Sequence, residues 1–457
     1  MPAAPADSAL YRQLLGDDET AALFTDSAEV RALLLVEGAL ARVQGAAGMI
    51  PAGAAAAIDR ASREAQVDPS ALAASTAANG VPVPGLLAAF RREIGDPEAA
   101  QYLHWGATSQ DIADTGLALR LRRVVALWDG RLAALVTALG RLAAEHAELP
   151  MAARTYGQAA TPTAFGAVVA GWGRPLIRHR ARLAAVGADL AVVSLGGAAG
   201  TLSAMGAGGP AIRAALAQAL DLRDPGASWH AERDRIAAFA GWMAGVTGSL
   251  AKMGEDLILL TQTGIGEVAI SGAGGSSTMP QKQNPVGPSV LVALVRQVAA
   301  LDAAMQGALA HRQNRDGAAW FTEWLVLPQM CISTGRALAL AADLAGRIAP
   351  DPAAMARGLA ADAGTIEAEA LSFALARIMP RPAAQERIKA LCAAALATGT
   401  PLATLAARDW PELDFHPAGL GTAPAEARAF AADTLADGHM TAPWHTETDT
   451  SGRGNGI

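Results

Sequence analysis

Between Gly272 and Pro285 the chain reads GAGGSSTMPQKQNP, and few stretches of this length carry so many groups able to do chemistry. Ser276 and Ser277 supply hydroxyls that can pass a proton, Lys282 an ammonium and Asn284 an amide. The glycines let backbone approach a bound group closely. The choice of types stands out against the rest of the chain. Among 36 Lys+Arg, lysine occurs only at Lys252, Lys282 and Lys389, and asparagine only at Asn79, Asn284, Asn314 and Asn455. Lysine is a compact point charge on a flexible stem, whereas arginine is a wide planar fork, so a site that must enclose one small carboxylate has reason to use lysine.

Two further segments have the same character. His104-Trp105-Gly106-Ala107-Thr108-Ser109-Gln110-Asp111 clusters an imidazole with two hydroxyls, and hydrogen bonds to an ionised acceptor are about twice as strong as neutral ones. The competing reading is local: Thr108 or Ser109 starts a helix as its N-cap. Arg154-Thr155-Tyr156-Gly157-Gln158 adds a guanidinium and an amide.

GSSTMPQKQNP resembles the GSSxMPxKxNP signature of the fumarase/aspartase superfamily, lyases and cycloisomerases that make or break a bond beta to a carboxylate. Gly275, Ser276, Ser277, Met279, Pro280, Lys282, Asn284 and Pro285 fill every fixed position. The segment from His104 is similar to the superfamily's HxGxTSxD, and that from Arg154 to its RTHxQ. The resemblance implies that Ser276 transfers a proton at carbon, with Ser277 as its substitute, and that Lys282 is catalytic. It further implies substrate contacts from His104, Thr108, Ser109, Arg154, Gln158, Met279, Asn284 and Arg315. No cofactor and no metal are implied. The same resemblance implies a homotetramer whose sites form where three subunits meet.

Within the superfamily the chain departs at Tyr156, where adenylosuccinate and argininosuccinate lyases carry histidine. An unperturbed tyrosine has a pKa near about 10 against about 6.5 for histidine, so it does not replace histidine as a proton carrier at neutral pH. Asn79-Gly80-Val81-Pro82-Val83-Pro84 resembles instead the GNPVIP segment of bacterial 3-carboxy-cis,cis-muconate cycloisomerases, and Ser228-Trp229-His230-Ala231-Glu232-Arg233-Asp234 their WHxxRD. Arg315 with Trp320-Phe321-Thr322-Glu323-Trp324 matches the arginine-to-WxxEW stretch of that branch. His311 does not align with the histidine usual there, and reads as a solvated or capping residue. The implied substrate is a small tricarboxylate; alternatives are another superfamily lyase or a non-catalytic structural relative.

The elements that must position these groups are helical. Hydrophobic residues make up 52% of 457 residues with 4% aromatic, a balance of alanine and leucine that favours close-packed helices over sheets. The reading is all-α, in three helical domains: 1–103 N-terminal, 104–350 a central bundle of long helices carrying the signature loop, and 351–440 C-terminal. Residues 441–457 are polar and unpatterned, and are expected to be disordered. Between about 230 and 345 the helices are apolar on more than one face and must be buried in a bundle or an oligomer core.

Other partner classes find little support. A net charge of −7 without a basic run gives no footprint for nucleic acid. Cys331 and Cys392 have no metal-ligand spacing and suit a reducing compartment. The N-terminus lacks the basic start and apolar core of a secretory signal, which points to the cytoplasm. Mean hydropathy is +0.24, but glycine breaks the charge-free span 191–212, which reads as a connection between long helices and not as a membrane segment.

Overall fold

The computed structural model describes residues 4–272, 274–275, 278–279 and 281–437; Ser276, Ser277 and the polar tail lie outside the described residues. The helices that frame the chemistry are α1 (Asp26–Ala46), α2 (Ser109–Glu145), α3 (Phe165–Leu190), α4 (Asp234–Leu260), α5 (Val286–Gly307), α6 (Gly317–Ala345) and α7 (Ala423–Asp437). In α2 the buried residues Leu121, Val124, Val125, Trp128, Leu132, Leu135, Leu139 and Leu142 recur at helical spacing, so one continuous stripe faces the core.

The main core joins α2, α3, α4, α5 and α6 through Trp128, Phe165, Phe239, Met243, Leu291, Met330 and Leu338. At its centre Trp128 stacks on Phe239 and Trp242, with ring centroids 5.6 and 5.8 Å away. The late helix α7 returns to this core through Phe430. Gly173 of α3 makes the room, since a Cβ there would lie 2.0 Å from the Phe430 ring. A second core packs α1 against Ala52–Glu64, Val83–Ile94 and the helix Gly209–Ala219, and a third gathers Leu371, Leu375, Ile388, Leu391 and Leu402.

Helix dominates as the sequence indicates, but among the described residues three short antiparallel pairings interrupt it. β1 (Pro150–Thr155) pairs with β2 (Gln158–Ala164), β3 (Val268–Ile270) with β6 (Ile348–Pro350), and β4 (Gly274–Gly275) with β5 (Gln283–Asn284). The first was invisible because PMAART and QAATPTA hold few strand-favouring residues. Its two-residue turn uses Tyr156-Gly157 instead of the asparagine-glycine that usually marks a hairpin.

Candidate active site

Thr108 is the N-cap of α2 and forms a capping box with Asp111, which places Ser109 in the helix's first turn. Asp111 is wholly buried. Its carboxylate accepts N–H bonds from Thr108 at 3.0 Å, Gly196 at 2.7 Å and Gly197 at 2.9 Å, and lies 2.7 Å from His230 Nε2. One carboxylate thereby fixes the start of α2, the 196–200 loop and the 228–233 turn. Gly197 adopts φ 70° and brings its backbone against the carbonyl of Gly106, an approach that a side chain would obstruct.

Arg315 reaches the same place. Its Nε donates to Gln110 Oε1 at 2.7 Å and an Nη to the Ala198 carbonyl at 3.4 Å. The buried Gln110 donates in turn to Asp114 and to the His230 carbonyl. Behind it Arg233, 2% exposed, bridges Asp114 at 2.8 Å and Glu323 at 2.6 Å and lies over the Trp229 ring. This links α2, the start of α4 and α6 by charge. Burial raises the Glu323 pKa, and the Arg233 guanidinium opposes the rise.

His311 corrects an expectation. Its side chain is 1% exposed, not solvated, and its Nε2 lies 3.9 Å from Glu323. Burial, then the charge of Arg233, lowers its pKa. His104 is held differently, with Nδ1 2.6 Å from Glu37 Oε1.

The second cluster lies beyond the other end of α2. The β1–β2 hairpin turns at Tyr156 (φ 52°) and Gly157 (φ 76°), both left-handed, as a two-residue primed turn requires. Tyr156 is fully exposed at the tip, with Gln158, also exposed, pairing opposite Thr155. Both terminal nitrogens of Arg154 donate to Glu267, at 2.7 and 2.8 Å. This pair, dominated by its hydrogen bonds, raises the Arg154 pKa.

Glu267 directly precedes β3, so the ion pair sets the start of the signature loop beside the hairpin. Arg347 then holds the carbonyls of Ser271 and Gly272, and the β4–β5 pairing sets Asn284 opposite Gly274. Lys282 and Met279 are exposed, and the Lys282 N–H donates to the Met279 carbonyl at 3.0 Å.

Within one chain the groups therefore fall apart. His104, Thr108, Ser109 and Arg315 gather at the start of α2. Arg154 and Gln158 lie on the hairpin that follows its far end, and Asn284 lies beside the last turns of α6 with Leu340, Leu344 and Arg347. The 37 residues of α2 span about 55 Å at 1.5 Å per residue. With α6 running beside α2, the hydroxyl segment and the signature loop lie toward opposite ends of α2.

Comparison with known proteins identifies the family. Residues 15–300 match the family described as "Lyase". The chain is 41% identical over 376 residues to a 3-carboxy-cis,cis-muconate cycloisomerase of Pseudomonas aeruginosa, covering 81% of this chain and 82% of that one. It is 40% identical over 380 residues to the Pseudomonas putida cycloisomerase, covering 82% and 90%. The crystal structure of the 3-carboxy-cis,cis-muconate lactonizing enzyme from Pseudomonas putida superimposes with a TM-score of 0.88 at 34% identity, covering 94% of this chain and all of that one. With the signature residues complete and the family match spanning more than half of its length, the chain belongs to the fumarase/aspartase superfamily of lyases.

Proposed function

We propose that this chain lactonises 3-carboxy-cis,cis-muconate to 4-carboxymuconolactone, a step in protocatechuate breakdown, as a homotetramer whose sites form where three subunits meet. The observation that carries the reading is the 41% identity to a cycloisomerase over four-fifths of the chain. The tyrosine at position 156 supports it, standing where succinyl-adduct lyases use histidine. In the reaction one carboxylate oxygen adds across a double bond while the carbon alpha to another carboxylate takes up a proton. Charge moves from that carbon onto its carboxylate, giving an aci-carboxylate dianion. Fixed donors aimed at the developing charge lower the barrier most.

Lys282 and Asn284 fill that role. Thr108, Ser109, Gln158 and Arg315 hold the remaining carboxylates, and His104, Arg154 and Met279 complete the wall. Ser276 delivers the proton at carbon, with Ser277 in reserve. Two features favour assembly: the hydroxyl segment and the signature loop lie toward opposite ends of α2 in one copy, and α5 leaves most of a long apolar stretch uncovered, with 33% of it buried.

The test is an ultraviolet assay of the purified protein on 3-carboxy-cis,cis-muconate beside adenylosuccinate and argininosuccinate. The muconate is consumed and the succinyl adducts are not; preferential cleavage of either adduct refutes the reading. Ser276→Ala lowers turnover by roughly 10²–10⁴-fold with binding nearly unchanged, whereas full activity in Lys282→Arg contradicts the role given to the compact ammonium.

A further inference from the structure

Glu37 lies midway along α1 among Leu33, Leu34, Val36, Leu40 and Ala41, all buried, and is itself 1% exposed. A carboxylate in such surroundings has to be paired. Its Oε1 lies 2.6 Å from His104 Nδ1, and its Oε2 has no hydrogen-bond partner among the described residues. Two turns further along α1 the equally buried Gln44 donates through Nε2 to the Trp105 carbonyl at 2.7 Å. One buried helix thus grips two successive residues of the segment that leads into Thr108 and Ser109. His104 takes φ 65°, a conformation uncommon for histidine outside such a constraint, and its ring is 14% exposed.

We propose that Glu37 is a positioning residue, turning His104 Nδ1 inward so that Nε2–H serves as a fixed donor to a substrate carboxylate beside Thr108 and Ser109. The inference rests on the carboxylate-binding role of that segment. Nothing in the sequence near position 37 marks it, because the pairing joins residues 67 positions apart.

The electrostatics agree. Burial alone would lower the His104 pKa; the charge and hydrogen bond of Glu37, with a smaller contribution from Asp111, outweigh it, while Arg91 opposes. The net shift is upward. A raised folded-state pKa means that the imidazolium persists below it and is lost as pH rises through it. Carboxylate affinity therefore declines on the alkaline side.

The test uses the full-length protein and two readouts. Calorimetry with propane-1,2,3-tricarboxylate measures binding without turnover, and steady-state assays separate KM from kcat. Glu37→Gln, nearly isosteric, weakens binding of the probe and raises KM roughly tenfold at neutral pH, lowers kcat by less than about threefold, and moves the alkaline loss of affinity to lower pH. His104→Gln abolishes that pH dependence. It also serves if Glu37→Gln does not fold. The double variant is no weaker than the worse single one, since both act through one contact. An unchanged pH dependence in His104→Gln, or additive losses in the double variant, overturns the inference. A protein that ignores the muconate but binds the probe with this pH dependence overturns the proposed reaction and leaves the Glu37 assignment standing.

Discussion

Asp111 shows how far one side chain's influence extends. Its three N–H bonds and its contact with His230 leave four groups without a partner if the carboxylate is removed. Asp111→Ala is expected to destabilise the protein by about 3 kcal/mol or more, since orphaned buried donors each cost about 1–3 kcal/mol; urea denaturation measures this. The eight-residue segment stood out in the sequence by its residue types, but the structural task of its last residue did not. Three of its four partners are 85 to 119 positions away, beyond any local pattern. His311 was misread for the same reason, because the Arg233 and Glu323 charges that enclose it come together only in the fold. His179 carries a second prediction at this scale. Burial, with Arg182 and Arg178, lowers its pKa to about 4, below the unfolded value of about 6.5. The unfolded chain then binds the proton more readily, so stability falls as pH drops from about 6.5 towards 4. Thermal melts across that range should show the decline, and His179→Gln should flatten it.

Among elements, the long helices were readable and the hairpin was not. Helices α4, α5 and α6 announce themselves by sustained apolar periodicity, while β1 and β2 depend on a turn whose residue types carry a weak signal. What the pattern could not supply is how the helices are fixed at their ends. Arg233 does this for three elements through Asp114 and Glu323. Removing it strands two buried carboxylates, so Arg233→Ala should cost about 3–5 kcal/mol in chemical denaturation. A loss below about 1 kcal/mol would contradict the buried geometry. The hairpin gives a functional prediction instead. Tyr156 projects from the turn into solvent in one copy; in the proposed reading it walls another copy's site and is not its acid. Tyr156→Phe therefore retains substantial turnover with an unchanged pH profile. Loss of the basic limb together with most of the activity would assign the proton to the tyrosine.

At the scale of the molecule, a single chain is an incomplete catalyst in the proposed reading. The hydroxyl segment and the signature loop lie toward opposite ends of α2, and the uncovered apolar length of α5 offers a surface that soluble monomers rarely leave exposed. In the proposed tetramer, antiparallel copies would bring the start of one α2 to the far end of another, which symmetric association of long bundles permits. Sequence made the chemistry legible because its residue types are scarce and closely spaced. How far apart one copy holds the hydroxyl segment and the signature loop came only with the fold, in which α2 runs 37 residues.

The most direct measurement is complementation between two inactive proteins, Ser276→Ala and the double variant Thr108→Ala/Ser109→Ala, assayed on 3-carboxy-cis,cis-muconate after being unfolded and refolded together. If each site draws its hydroxyl segment and its signature loop from different copies, some mixed sites receive both segments unmutated, and a fraction of wild-type activity returns on mixing though neither variant has any alone. No recovery despite demonstrated subunit exchange, or full activity in a sedimenting monomer of the unmodified chain, contradicts a shared site.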